Sequence, residues 1–171
     1  MCIRDSSVIN ANAPEFLAPG DMPARVRAYC ARTGSPVPER PGAVARCVVD
    51  SLALSYRTAV EDLAAITGTA PSAVHITGGG ARHGLLAQVT ADATGLPVHC
   101  GPVEATALGN AAVQLVALGE LADVADIRAV VARTAEIRTC SPRPEARWEE
   151  AAARLREMTR DDDRRRGLIP T

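Results

Sequence analysis

The sequence predicts an α/β chain with few parallel strands flanked by helices, and three features carry that expectation. Val44, Val48, Leu52, Ser55, Ala59, Leu63 and Ile66 recur at steps of three and four, the spacing that lays one face of a helix against a core. Val74-His75-Ile76-Thr77 is short and β-prone and ends in Gly78-Gly79-Gly80, which reads as a strand running into a tight turn. A second helix-period segment then leads to Leu96-Pro97-Val98-His99-Cys100, a second strand. Strand–helix–strand units of this length pair in parallel through a right-handed crossover. Two strands do not make a stable open sheet, so further strands are expected upstream of Met1 or from a partner.

Each element has its own signal. Residues 1–41 read as an irregular connecting arm, because Pro14, Pro19, Pro23, Pro36, Pro38 and Pro41 leave room only for a short helix around Ala24 to Ala31. The opening Met1-Cys2-Ile3-Arg4-Asp5-Ser6 fits nothing that follows and reads as a cloning or assembly artefact, which makes the chain a fragment. Order begins near Gly42, and Gly68 closes the long helix. Behind the glycines, Leu85, Leu86, Val89 and Ala93 line a second helix that stops at Gly95. Pro97 sits at the start of its strand, where a missing donor is tolerated. A third helix is expected from Glu104 to Leu118, and a fourth, capped by Asp126, through Ile127, Val130 and Val131. The last starts near Pro144 and buries Trp148, Ala152, Leu155 and Met158. The main unit is therefore placed at 42–160, with 161–171 as a charged tail that frays from Asp161 to Arg166.

Bulk properties exclude several classes. The 171 residues are enough for one domain. With 47% hydrophobic residues but 2% aromatics, the core must be built from Ala, Val and Leu. A formal net charge of −1 supplies no global field for nucleic acid or an anionic membrane. No apolar run approaches the roughly 18 residues of a membrane span. No basic segment precedes an apolar stretch at the start, so a cytoplasmic protein is expected. The five cysteines are dispersed without a C-x-x-C pair and read as buried thiols. Zinc needs ligands closer in sequence or histidine partners at the right spacing, which His75, His83 and His99 do not offer. No metal site is expected.

The chemistry lies in Val74-His75-Ile76-Thr77-Gly78-Gly79-Gly80-Ala81-Arg82-His83-Gly84. Glycines past a strand's carboxyl end let the backbone turn and approach a ligand. The helix behind them offers free N–H groups and a positive dipole end to an anion, outside the carboxyl ends of the strands, where open α/β sheets bind ligands. A nucleotide phosphate is the natural guest. From Gly78 the third glycine of a dinucleotide fingerprint would fall on His83, and Gly84 is followed by Leu85 rather than the Lys of a Walker loop, so both motifs fail. Three glycines alone also fit a bare tight turn.

Four ordered blocks around the glycines decide the matter: Ser51–Arg57, His75–Gly80, Gln88–Asp92 and Gly101–Asn110. Together they resemble the FGGY carbohydrate kinases, and within that family most closely the branch acting on L-rhamnulose. The arm agrees, through Ile9-Asn10-Ala11-Asn12 and Phe16-Leu17-Ala18-Pro19-Gly20-Asp21-Met22. The resemblance runs from about Val8 to Pro142. It implies a partial actin-like ATPase (ribonuclease H-like) C-terminal domain of a sugar kinase using ATP and Mg2+, with Gly79 approaching the nucleotide and Gly78 and Gly80 shaping the turn. His83 stands where this branch typically holds Asn, whose amide can bond adenine. Cys30 and Cys47 stand where it can carry a cysteine pair, although the cytosol favours thiols.

The resemblance further implies that the catalytic Asp and the sugar-binding segments belong to an absent N-terminal kinase domain. No catalytic residue is therefore assigned, and the chain alone is expected to be inactive. Gln88 and Asp92 are expected to hold their helix in place, and Glu104 to favour a helix dipole rather than to catalyse. The rival readings are a family kinase for xylulose, fuculose or glycerol, and a non-catalytic nucleotide-binding module.

Overall fold

The computed structural model describes residues 7–143 and 145–170. The suspected artefact at 1–6, with Cys2 inside it, and the expected helix start at Pro144 lie outside the described residues. The two expected strands form and pair in parallel: β1 (Val74–Ile76) sets Val74 opposite Val98, His75 opposite His99 and Ile76 opposite Cys100 of β2 (Val98–Cys100). A third strand, β3 (Arg138–Cys140), adds antiparallel to β2, with Val98 opposite Cys140, His99 opposite Thr139 and Cys100 opposite Arg138. The sheet is therefore mixed, in the order β1-β2-β3, which corrects the purely parallel expectation. Three residues of β propensity are too short a run to announce a strand; hydrogen bonds from β2 define this one.

Side chains alternate across a sheet, and the two faces differ sharply. Val74, Ile76, Val98, Cys100 and Cys140 pack together with Ala87 and Ala91 of α3 (Gly84–Thr94). His75, His99 and Thr139 make a row on the opposite face.

The helices build a second layer. α1 (Met22–Arg32) and α2 (Pro41–Thr67) are followed by α3 after the sheet's first strand. Beyond β2 come α4 (Ala105–Ala117) and α5 (Val124–Thr134), and α6 (Arg147–Arg165) follows β3. Gly68 and Gly95 close α2 and α3 as expected. α5 begins earlier than expected: Asp123, not Asp126, caps it, accepting from the N–H groups of Ala125 and Asp126 at 2.7 and 3.1 Å. Asp126 reaches back to accept from Ala122 N–H at 2.9 Å, so the two carboxylates share the start of the helix.

The arm is not a loose connector. Val8 and Ile9 are each 2% exposed, and they join Ala13, Val26, Tyr29, Cys30, Leu54 and Leu155 in two clusters around α2. Ser51 Oγ accepts from Ile9 N–H at 3.0 Å, and Ser35 Oγ donates to Val8 O at 2.9 Å, so the extended backbone is satisfied although it lacks regular structure. On α2 the buried face is Val44, Cys47, Ser51 and Leu54, rotated from the expected stripe, and Leu63 and Ile66 are 50% and 84% exposed. The 27-residue α2 is about 40 Å long, and its last turns outrun the shorter α3 and α6 that cover it.

α6 buries Trp148, Ala152, Leu155 and Met158 as the sequence indicates, and it adds Asp162. The segment expected to fray continues as helix through Arg165. Asp162 holds it, accepting from Asn10 Nδ2 at 3.1 Å, Tyr29 OH at 2.6 Å and Arg32 at 3.4 Å. Burial, and then this carboxylate, push the Tyr29 phenol well above its ordinary range. Among the described residues no helix is long and apolar enough to cross a membrane.

Candidate functional site

The glycine turn folds as a 3-10 segment, Gly78–Arg82, leading directly into α3 at Gly84. Gly78 takes φ +71°, a left-handed conformation that favours glycine, and its N–H donates to Pro102 O at 3.1 Å. In return Gly101 N–H donates to Ile76 O at 2.9 Å. The turns that end β1 and β2 are thus tied side by side. Gly101 itself has φ +125°, and a Cβ there would stand 2.5 Å from the Glu136 carbonyl oxygen, so only glycine lets the approach to β3 pass this close.

The three expected glycines do different things. Gly78 sets the backbone turn. A Cβ on Gly80 would press at 3.3 Å on Ile76 Cγ2, so this position seats the turn on β1. A Cβ on Gly79 would meet nothing within 4 Å, and Gly79 is exposed. The surface above Gly79 is open backbone.

His83 is the N-cap of α3: its Nδ1 accepts from Leu86 N–H at 3.1 Å. A histidine nitrogen can accept from a helix's first free N–H in the way an Asn side chain does. Nε2 is left for another partner.

Beside the turn lies a cleft of about 520 Å³, between Ala81 and Arg82, the end of β2 and the approach to β3. Glu104, Leu108, Glu136 and Arg138 line its remaining sides. Arg138 Nη2 donates to Ala81 O at 3.4 Å, and Gly84 leaves it room, since a Cβ there would lie 3.3 Å from Nη1. Glu104 precedes α4 without a side-chain capping bond and stands 3.9 Å from Arg82, both well exposed. Arg138 and Glu136 escape a reading of the sequence because they enter the site only through β3. The hint available was Ile137 and Thr139 flanking the arginine, a single β-prone alternation.

Gln88 and Asp92 act structurally, as expected. Gln88 Nε2 donates to Asp92 Oδ1 at 2.8 Å and to Ser141 O at 2.9 Å, while Asp92 accepts from Arg143 N–H at 2.9 Å. They fasten α3 to the segment after β3. Cys30 and Cys47 are free, buried thiols in one core cluster. The hydrogen bond with Cys30, together with burial, pushes the Cys47 thiol far up. Among the described residues no group of three or more His, Cys, Asp or Glu side chains could hold a metal ion.

Comparison with known proteins adds to this geometry. Residues 4–118 match the family described as the FGGY family of carbohydrate kinases, C-terminal domain. Rhamnulokinase of Bacteroides thetaiotaomicron is 42% identical over 159 residues, which cover 93% of this chain and 33% of that protein. Rhamnulokinase of Klebsiella pneumoniae is 44% identical over 139 residues, 81% of this chain and 28% of that protein. Among solved structures, xylulose kinase from Rhodospirillum rubrum superposes with a TM-score of 0.52 at 25% identity, over 74% of this chain and 25% of the other. The chain thus spans about a third of the length of the curated relatives it matches.

Proposed function

The chain belongs to the FGGY family of carbohydrate kinases, and we propose that it forms the nucleotide-binding wall of a kinase that transfers the γ-phosphate of ATP to the 1-hydroxyl of L-rhamnulose. The observation that carries this reading is the open backbone at Gly79, set between a helix start and a cleft of nucleotide dimensions. Phosphoryl transfer asks little covalent chemistry of a protein; it asks for positioning and for charge stabilisation. Gly78 and Gly80 hold the turn, Gly79 lets phosphate oxygens approach main-chain N–H groups, and His83 offers Nε2 to the base. Arg82 and Arg138 stand at the cleft with charge suited to the nucleotide's anionic side.

ATP suits this site in the proposed reading, because a Cβ at Gly79 would meet nothing within 4 Å and the backbone there leaves open space for phosphate oxygens. Mg2+ has no carboxylate cluster among the described residues, so in this reading it arrives on the nucleotide. The proton acceptor and the sugar pocket are assigned to the two-thirds of the relatives' length that this chain does not span. The nucleotide role falls within 42–160, and of the flanking parts 1–41 and 161–171 the described residues Val8, Ile9, Tyr29 and Asp162 brace it. Exposed apolar side chains on α4 and at its C-terminal cap, with Val113 at 62% and Leu118 at 75%, are where the remaining kinase body would rest. The names of the two rhamnulokinases favour L-rhamnulose over the other sugars, and a cytoplasmic location follows from that substrate class.

Calorimetric titration with Mg2+ and a non-hydrolysable ATP analogue tests the site. Weak binding that falls at least about tenfold in Gly79→Val, a loss of about 1.4 kcal/mol, is the expected result. Equal binding by both proteins removes the site. Turnover of rhamnulose by the chain alone would remove its assignment as one wall of a larger enzyme. A protein of the relatives' full length, assayed on rhamnulose, xylulose, fuculose and glycerol, identifies the sugar, and tight ATP binding without any turnover in that protein would favour a non-catalytic module.

A further inference from the structure

On the sheet face opposite α3, strand register brings together two histidines that are far apart in the sequence. His75 and His99 stand directly opposite one another across β1 and β2, and Thr139 continues the row on β3. The ring centres are 5.0 Å apart, with planes inclined at 46°. His99 Nδ1 lies 2.9 Å from Thr139 Oγ1, which holds the ring and leaves Nε2 as its free nitrogen. Among the described residues no hydrogen bond engages either ring nitrogen of His75 or Nε2 of His99. His75 is exposed and His99 half-buried, so both are within reach of solvent.

Two imidazoles bound to one tetrahedral ion, through metal–nitrogen bonds of about 2.0–2.1 Å, hold their ring centres on the order of 5 Å apart. The rings of His75 and His99 stand at that separation. We propose that His75 and His99 form a site for a late first-row divalent transition ion of the Ni2+, Cu2+ and Zn2+ class, with water completing the coordination. Imidazole nitrogen suits these ions and not Mg2+, so the site is distinct from anything the nucleotide carries. The Thr139 hydroxyl is a positioning group, orienting His99 in the way an outer partner of a metal ligand does. The ion clips β1 to β2 just where β1 runs into the glycine turn. This inference stands apart from the kinase reading, since it uses no residue of the cleft.

Ni2+, added as chloride to the untagged full chain in a non-coordinating buffer at about pH 7.5, where imidazole is mostly neutral, is the probe. Calorimetry should show one ion per chain. His75→Gln and His99→Gln should each weaken binding at least about tenfold, and Thr139→Val several-fold, by loss of the ring's anchor. Cys140→Ser, on the other face, should leave binding unchanged. Circular dichroism without metal checks that each variant folds. On the unaltered protein, substoichiometric Ni2+ should broaden the ring resonances of His75 and His99 before those of His83, a reading that needs no substitution. Binding that persists in the His75→Gln/His99→Gln double variant, a comparable loss in Cys140→Ser, or no Ni2+ binding tighter than millimolar would each overturn the site.

Discussion

The body around α2 and the α4–α5 pair carry similar apolar sequences and treat them in opposite ways. In the body, Val8, Ala53, Leu54, Val89, Trp148 and Leu155 share one cluster and are nearly sealed from water. α4 is apolar on almost every side, yet it buries only Ala112, and α5 buries nothing. Val113, Leu118 and Val124 are 62%, 75% and 59% exposed. A helix that is apolar all round belongs in an interior. The difference teaches that apolar content marks a surface in need of cover, while the cover itself comes from elsewhere in the fold. For the body it comes from the arm and α6. For α4, in the proposed function, it comes from the rest of a kinase about three times this length.

The sharpest way to break the comparison is to truncate one aliphatic side chain to alanine in each region. Leu54→Ala should cost about 2–5 kcal/mol, as transfer energy plus a cavity, whereas Val113→Ala should stay within about 0.5 kcal/mol. Urea unfolding of the two variants reads both, and equal losses would mean that α4 is packed after all. Next in size is Asp162→Ala, which strands Tyr29 OH and Asn10 Nδ2 in the body. It should cost on the order of 3 kcal/mol; a negligible loss would return the end of α6 to a frayed tail.

The pH response is smaller. Burial tends to raise Glu61, but Arg57 and Arg156 outweigh it and hold the carboxyl below its ordinary 4.5. A depressed folded value means that the stabilisation is present above pH 4.5 and lost as pH falls through the folded value. Calorimetric melting temperatures should therefore fall more steeply below that point for the unaltered chain than for Glu61→Gln, and parallel curves would show that the ion pairs of Glu61 with Arg57 and Arg156 add nothing. Smallest in stability is Leu118→Ser, which should leave the unfolding midpoint in place while reducing light scattering at high concentration. Unchanged scattering would detach the exposed apolar face of α4 from association.

Legibility followed how far apart the cooperating residues are. The period of α6, from Trp148 to Met158, the stops at Gly68 and Gly95, and the turn at Gly78–Gly80 could all be read, because caps, period and turn chemistry are local. The Asp123 cap was missed for Asp126 because two acidic residues three apart offer rival starts and only the backbone chooses. The exposed end of α2 was missed because the stripe of Leu63 and Ile66 has helical spacing whether or not a partner reaches it. Around the candidate site, Gly78, Gly79, Gly80 and His83 share one stretch of chain that the sequence singles out, whereas Arg138 and Glu136 come beside it only through β3.

The sequence by itself determined the helices, the strand-to-glycine turn, and a core built mostly from Ala, Val and Leu, since each depends on residues a few positions apart. Only the tertiary structure decided that Val8 and Ile9 complete that core, that Arg138 faces the cleft, and that His75 meets His99. Those meetings are set by hydrogen-bond register between strands and by which surfaces close on one another, and spacing along the chain records neither.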